Sequence, residues 1–322
     1  MRSFKSILKT ILPLSLGVFF IYLSFKSTTA EDRIRIDTYF KSTDIRFLLL
    51  SVLFAVLSHI SRAYRWHFLL QPMGYHPKLY NSILSVLIAY LANLGVPRSG
   101  EIFRATTMTT YEKIPFEKGF GSIITERIID LLLLAFSLII ALFLQFDMIY
   151  VYLVQKKIDL PILMIGAVLF LSIVAVVRHQ LKNSQNSIVL KIKYFLRGLL
   201  EGILSIKKMP KKGWFVAHTI FIWTMYFAMF YVVKWCLPET ANLTFNALFP
   251  AFVVGGLTIS ATNGGIGIYP YAVGMVLTAF DISTEAGFAF GWSMWSAQTL
   301  MILLFGGLSF FVLPLLNSKK EL

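Results

Sequence analysis

The chain has 322 residues, of which 57% are hydrophobic and only 14% are charged, and its mean hydropathy is +0.72. Water-soluble domains carry about 25% charged residues, so this composition excludes an ordinary cytosolic enzyme, a disordered chain and a disulfide scaffold. The net charge of +14 does not indicate a nucleic-acid partner, because the basic residues lie between long apolar runs. The composition predicts an all-α polytopic membrane protein.

The apolar runs predict about six full transmembrane helices, since a helix that spans a bilayer needs about 20 mostly apolar residues. These helices are placed at 10–25, 46–61, 119–146, 160–177, 213–235 and 287–316. Arg62 and Arg65 follow the second helix, where their side chains could extend towards the membrane surface. Two further segments, 79–118 and 240–285, are predicted to begin and end on the same side of the membrane.

Basic residues predict the orientation, because cytoplasmic flanks of membrane helices are rich in Lys and Arg. The segment 178–212 holds nine basic residues and one acid, and the N-terminal flank and C-terminal tail are also basic. Both termini are therefore predicted to be cytoplasmic. Hydrophobic residues at helical spacing within 186–209 predict an amphipathic helix on the inner leaflet, attracted to anionic lipid.

The predicted path treats residues 1–322 as a single transmembrane domain of two half-repeats, 1–150 and 151–316, in opposite orientations. Each half contains two helices, a segment that returns to its own side, and a further helix. The turn at 260–267 carries no charge, which favours a re-entrant hairpin over a full hairpin ending at the basic surface. Two re-entrant hairpins in an inverted repeat are typical of transporters.

A first candidate site follows the proline and glycine break at 97–100. Arg98 and Arg104 carry guanidinium groups that match phosphate geometry, and the break allows a short helix whose first N–H groups could hold an anion. Glu101 and Arg104 are three residues apart and share a helix face. The pattern indicates either a phosphate or carboxylate site, or an exposed cytoplasmic loop with a surface ion pair.

A second candidate site consists of Glu126, Arg127 and Asp130, which interrupt an otherwise apolar run. Charged residues within a membrane helix are costly, so these side chains are expected to face the interior of the bundle and to find partners there. The functional interpretation is a substrate or proton-coupling site. The alternative is a structural ion pair that holds two helices together.

A third candidate site is the glycine-rich turn at 262–271, where backbone N–H groups could face a ligand. Its members are Asn263, Gly264, Gly265, Gly267, Tyr269 and Tyr271. The alternative is a packed turn, with the two tyrosines as interfacial anchors or as hydrogen-bond donors to a cavity. Arg65 and Trp66 indicate either a head-group contact or an ordinary basic helix end. No nucleophile, P-loop or metal-binding pattern is found, so no catalytic residue, metal or cofactor is predicted.

Taken in chain order, four motifs resemble a known family. They are Arg-Trp at 65–66, Pro-Arg-Ser-Gly-Glu-Ile-Phe-Arg-Ala at 97–105, Thr-Glu-Arg-Ile-Ile-Asp at 125–130 and Asn-Gly-Gly-Ile-Gly at 263–267. The chain resembles the lysylphosphatidylglycerol synthase transmembrane family. This is the flippase-like, UPF0104-type membrane domain that forms the N-terminal half of the multiple peptide resistance factor proteins.

The resemblance implies a bacterial inner-membrane protein that moves or binds lipid, with aminoacylated phosphatidylglycerol as the best-known cargo. It also implies that six charged residues occupy motif positions: Arg98, Glu101, Arg104, Glu126, Arg127 and Asp130. The aminoacyl-transferring domain of the full-length proteins is not among the 322 residues, so synthesis of lysyl-lipid is not expected. The second glycine motif also departs from the family, because Asn263 replaces the usual initial proline and Tyr269 follows where the family continues to a glutamate.

The expected function is therefore binding and translocation of a phospholipid or a lipid-linked head group, without catalysis. The expected partner is membrane phospholipid, with anionic lipid at the cytoplasmic leaflet, and a homo-oligomer or a lipid-synthesis enzyme as a further partner. Two alternatives are a membrane accessory subunit or enzyme of lipid-linked glycan synthesis, and a proton-coupled transporter of a small solute.

Overall fold

The computed structural model describes residues 43–96, 98–147, 209–262, 264–265 and 267–318, together with Ile34, Thr38, Lys41 and Ser172. Every regular element in these ranges is a helix. The predicted helices at 10–25 and 160–177, the predicted amphipathic helix at 186–209 and the basic tail after 318 lie outside the described residues, apart from Ser172 and Met209.

Nine α-helices follow one another in the described ranges. They are α1 (Ile45–Leu70), α2 (Leu79–Gly95), α3 (Ser99–Glu112), α4 (Phe116–Leu144), α5 (Lys212–Tyr231), α6 (Phe245–Ala261), α7 (Ile268–Thr278), α8 (Thr284–Met301) and α9 (Gly307–Asn317). Short 3-10 turns extend α1 to Met73 and α5 to Cys236, and a π-helical turn joins α8 directly to α9.

Four helical stretches of the described residues are long and apolar enough to cross a membrane. They are Ile45–Met73, Phe116–Leu144, Lys212–Cys236 and Thr284–Asn317. These stretches coincide with four of the six predicted spans, because a long uncharged run can bury its backbone polar groups in lipid only as a helix. The predicted end of the first of them is wrong, since α1 continues nine residues beyond position 61.

Each of the two predicted returning segments is broken into a pair of shorter helices. The first segment forms α2 and α3 with a break at 96–98, and the second forms α6 and α7 with a break at 262–267. The two helices of each pair pack against each other. Both breaks fall at the glycine and proline motifs, where a continuous helix is disfavoured. The path of these pairs relative to the bilayer stays a prediction.

Helix α1 packs along α5 in an antiparallel arrangement. The Ser51 hydroxyl donates to the backbone carbonyl of Met229 at 2.8 Å, and the Ser61 hydroxyl lies 2.8 Å from His218 Nδ1. Small hydroxyl side chains at these positions allow the two helices to approach while satisfying polar groups inside an apolar interface. The pairing of α1 with α5 places one face of α1, including Arg62 and Arg65, in the interior.

The chain divides into two compact units, Met1–Arg127 with Met209–Leu322, and Ile128–Lys208. In the first unit, aromatic and aliphatic side chains of α5, α6, α7 and α8 form a buried core around Phe230 and Phe290, whose rings meet at a centroid distance of 5.0 Å. The described part of the second unit is mainly the end of α4, where apolar side chains are exposed. The most exposed of them are Leu131, Ile139, Phe143 and Phe146.

Candidate functional site

The carboxylate of Glu126 lies at the centre of a buried ion-pair cluster in the first unit. Its side chain is 0% exposed, and its Oε1 atom accepts hydrogen bonds from Arg62 Nη1 at 2.7 Å and from Arg65 Nη2 at 2.9 Å. Arg104 Nη1 is 3.0 Å from the other oxygen, Oε2, as an ion pair outside hydrogen-bond geometry. Three guanidinium groups from α1 and α3 therefore share one carboxylate of α4.

Arg62 and Arg65 reach Glu126 because they are three residues apart on one face of α1. Both are also held by α5, since Arg62 Nη2 donates to the Tyr226 hydroxyl at 2.8 Å and Arg65 Nη1 donates to Thr219 Oγ1 at 3.3 Å. A buried guanidinium is stable only with such partners, because it stays charged and desolvation is costly. The interpretation that these two arginines extend to the membrane surface is therefore wrong.

Arg104 is held by stacking as well as by charge. Its guanidinium carbon lies 3.8 Å from the centroid of the Trp66 ring, and Trp66 Nε1 donates to the Ser122 hydroxyl at 2.8 Å. Arg104 is 2% exposed, and its Nε and Nη2 atoms have no hydrogen-bond partner among the described residues. The guanidinium stays charged at neutral pH, because arginine is not deprotonated in proteins.

A narrow cleft with no room for a water molecule adjoins Arg104. Its lining residues are Arg62, Val86, Ala89, Tyr90, Glu101, Arg104, Ile123 and Arg127. At the more exposed side of the cleft, Arg127 Nε lies 3.0 Å from Glu101 Oε1. The cleft thus brings charged residues of the first predicted site, on α3, together with Arg127 of the second, on α4.

Arg98 and Arg104 were predicted to bind one phosphate jointly, but they do not lie in the same site in the structure. Arg98 is exposed in the turn before α3, in a left-handed conformation with φ of 61°, whereas Arg104 is buried in the cluster. The predicted anion site at the start of α3 is also occupied by the protein itself, since the Gly100 N–H donates to Asn93 Oδ1 at 2.8 Å. Asn93 therefore takes the place that an anion was predicted to fill.

The predicted pairing within α3 also differs. Glu101 and Arg104 share a face of α3, but each pairs with a residue of α4: Glu101 with Arg127, and Arg104 with Glu126. Asp130 is half-buried and lies one turn after Glu126 on the same helix, within the second unit.

The glycine turn between α6 and α7 is tightly packed. Gly264, Gly265 and Gly267 have φ of 64°, 74° and 75°, which L side chains rarely adopt. Trp295 Nε1 donates to the Gly264 carbonyl at 2.8 Å, and Thr262 Oγ1 accepts from the Gly265 N–H at 3.1 Å. These contacts fit the packed-turn alternative. Asn263 lies outside the described residues.

The two tyrosines of this turn have different surroundings. Tyr269 is 4% exposed and belongs to the core of α5 to α8, so it is not an interfacial anchor. Tyr271 is 58% exposed, and its ring lies at a centroid distance of 5.6 Å from that of Phe288. Neither side chain lines the cleft beside Arg104.

We expect Trp295→Phe to lower the free energy of unfolding by about 1 kcal/mol, because the Gly264 carbonyl loses its indole donor while the aromatic packing is largely kept. Thermal unfolding of the purified protein in detergent measures this loss. Trp214→Phe is the control, since Trp214 is 65% exposed. Equal unfolding midpoints for the two variants would show that the hydrogen bond does not stabilise the turn.

Several residues of the cluster were not singled out from the sequence as site residues. Arg62 and Trp66 were interpreted as a helix end, and Ser122, Thr219 and Tyr226 carry no local signal. One signal was present: Arg62, Arg65 and Trp66 recur at spacings of three and four, so they share one helix face. A carboxylate in an apolar helix also requires cationic partners somewhere in the chain.

Spanning helices and a buried charged cluster define the class of this chain as a polytopic membrane protein. It belongs to the lysylphosphatidylglycerol synthase transmembrane-region family, whose sequence profile matches residues 10–307. The chain is also similar to the UPF0104 membrane protein MJ1595 of Methanocaldococcus jannaschii, with 25% identity over 267 residues that cover 76% of each protein. No solved structure matches the chain. The family resemblance predicted from the four motifs is thus confirmed.

Proposed function

We propose that this protein binds the phosphate of a phospholipid or lipid-linked head group in the cleft beside Arg104 and carries that head group across the membrane. The observation that carries the proposal is the state of Arg104. This residue is 2% exposed and lines a cleft, yet two of its three guanidinium nitrogens have no hydrogen-bond partner in the part of the chain that the structure describes. Buried polar groups are rarely left unsatisfied, and such exceptions often mark a ligand site.

The charge balance of the site supports an anionic ligand. In the first unit, four arginines (62, 65, 104 and 127) stand against the carboxylates of Glu101 and Glu126, which leaves a net charge of 4 − 2 = +2 at the site. A phosphate would offset this excess, and it would accept hydrogen bonds from the Nε and Nη2 atoms of Arg104. Arginine is suited to this role because its planar fork matches the geometry of phosphate oxygens.

The broken helices support transport rather than static binding. A Cβ atom built at Gly264 would lie 3.1 Å from Leu94 Cδ2, so the turn between α6 and α7 is close to the end of α2. We propose that α2 with α3 and α6 with α7 are the two re-entrant hairpins of an inverted repeat. In transporters, discontinuous helices of this kind meet near the middle of the membrane and form the substrate site.

The location and partners belong to the same proposal. We place the protein in a bacterial inner membrane, as the family resemblance implies. We place both termini on the cytoplasmic side, because the N-terminal flank and the C-terminal tail are rich in Lys and Arg. Anionic lipid of the cytoplasmic leaflet is then the nearest source of ligand. We propose no catalytic step for this chain, and we propose that any homo-oligomer or lipid-synthesis enzyme partner acts on the same lipid.

Replacing Arg104 by methionine separates a binding role from a structural one. Glu126 keeps Arg62 and Arg65 as partners in this variant, and the methionine side chain can still lie over Trp66, so we expect stability to change little. The phosphate loses its charged donor, so we expect lipid affinity to fall by about 10- to 100-fold. Mass spectrometry of retained lipids and a translocation assay in reconstituted vesicles measure this loss.

Arg46→Met is the matched control, because the Arg46 side chain is 84% exposed and pairs only locally with Asp44. We expect it to keep lipid retention and translocation. A stable Arg104→Met protein that retains and translocates lipid like the Arg46→Met variant would refute the proposed site. Wild-type vesicles no more active than protein-free vesicles, across anionic and zwitterionic lipids, would refute the transport function itself.

A further inference from the structure

Two ion pairs join α3 to α4 at different depths beside the cleft. The inner pair is Arg104–Glu126, with side-chain exposures of 2% and 0%, and its shortest N–O distance is 3.0 Å. The outer pair is Arg127–Glu101, with exposures of 35% and 14%, also at 3.0 Å. Glu101 lies one turn before Arg104 on α3, and Arg127 directly follows Glu126 on α4. The two pairs are therefore successive layers of one interface.

The inner and outer pairs are held with different strength. The inner pair is supported by the Trp66 ring and by two further arginines on the same carboxylate. The outer pair is partly exposed, so water screens its attraction and it contributes little to stability. The Oε2 atom of Glu101 is itself buried and has no hydrogen-bond partner within the described ranges. The outer pair is thus the layer that can open without unfolding the cluster.

The position of the outer pair matters for access to Arg104. Glu101 and Arg127 both line the cleft, together with Arg104 and Val86. The cleft is narrow, so a phosphate reaches Arg104 only if lining side chains move. The Glu101 carboxylate is also an anion that already pairs with Arg127 in the cleft. It therefore competes with any incoming anionic group for Arg127.

We infer that the Glu101–Arg127 pair is a gate over the anion site, and that an anionic group opens it by taking the place of Glu101 on Arg127. The identity of the anion as a lipid phosphate rests on the proposed function, but the gate itself does not. Glu101 then selects against neutral ligands, because only a group with negative charge can displace it.

A cysteine placed in the cleft reports on the gate without any lipid assay. Val86 is 1% exposed and close to cysteine in size, and Cys236 is the only native cysteine. In a Cys236→Ala background, the thiol of Val86→Cys is labelled with the anionic reagent methanethiosulfonate ethylsulfonate. We expect Glu101→Gln to raise the labelling rate about two- to fivefold, the effect of removing one partly exposed ion pair.

A charge exchange tests the pair directly. Arg127→Glu alone places two carboxylates together and is expected to raise labelling, whereas Arg127→Glu combined with Glu101→Arg restores the pair and is expected to return labelling towards the starting rate. Glu117→Gln, at an exposed position of α4, is the control and is expected to change nothing.

The gate is wrong if Glu101→Gln and Arg127→Glu alone both label at the rate of the Glu117→Gln control. This outcome differs from failure of the proposed function. If labelling responds as expected but vesicles show no lipid translocation, the gate stands and the transport proposal fails. If Arg104→Met abolishes lipid retention but labelling is insensitive to the outer pair, the lipid site stands and the gate fails.

Discussion

Glu126→Gln is expected to lower the free energy of unfolding by about 3–5 kcal/mol, the range measured when one partner of a buried ion pair is removed. Glutamine keeps the shape of the side chain but carries no charge. Arg62, Arg65 and Arg104 would then face one another in a buried region without the carboxylate that all three approach within 3.0 Å. Yield in the membrane and thermal unfolding in detergent measure the loss.

Two comparisons make this result specific to the cluster. Glu117→Gln removes a carboxylate from an exposed position of the same helix and is expected to be neutral. Combining Glu126→Gln with Arg104→Met removes one of the three repelling cations, so we expect the double variant to be more stable than Glu126→Gln alone. A Glu126→Gln protein that unfolds at the wild-type temperature would mean that the carboxylate does not hold the cluster together.

Gly100→Ala is expected to be the most damaging single-methyl change among the glycines of the described helices. A Cβ atom at this position would lie 2.1 Å from the backbone oxygen of Ala89 and 2.8 Å from Asn93 Nδ2. Because the oxygen belongs to the backbone of α2, it cannot rotate away, and α3 must shift. We expect a loss of about 1–3 kcal/mol or more in stability, the cost typical of overpacking. The shift also displaces Arg104, so lipid retention should fall.

Gly121→Ala is the control for Gly100→Ala, and it is not expected to destabilise the protein. Gly121 is exposed in α4, and a Cβ atom there would meet no atom within 4 Å. Alanine is a better helix former than glycine by about 1 kcal/mol, so this variant should be as stable as the wild type or more stable. Gly100→Ala and Gly121→Ala proteins with equal unfolding temperatures and equal lipid retention would contradict close docking of α3 on α2.

Much of the described fold was predictable because apolar run length and helix-breaking residues act locally. The span at 119–146 appears as Phe116–Leu144, and the breaks at 96–98 and 262–267 fall at the predicted motifs. The end of α1 was not predictable in the same way. Arginine usually marks the edge of a membrane span. The residue that neutralises the buried Arg62 is Glu126, which lies 64 residues away in the sequence.

The sequence allowed several residues of the candidate site to be identified, but not the ion pairs that they form. Glu126 was singled out because a charge in apolar sequence requires a reason, and Arg104 because a guanidinium after a proline and glycine break matches phosphate geometry. Spacing along α3 suggested that Glu101 and Arg104 belong together, but tertiary packing gives each a partner on α4. Stacking on Trp66 depends on how α1 meets α3, and no local pattern encodes that contact.

The sharing of one carboxylate by two arginines of α1 has a consequence for biosynthesis. Arg62 and Arg65 leave the ribosome more than 60 residues before Glu126 does. Alone in lipid, each arginine costs about 2.5–3.5 kcal/mol near the middle of an inserting helix. The neutralising group is not yet made when α1 reaches the insertion machinery. We therefore expect helix α1 to reach its final depth only after α4 has been synthesised, which would couple insertion of the first described span to that of the second.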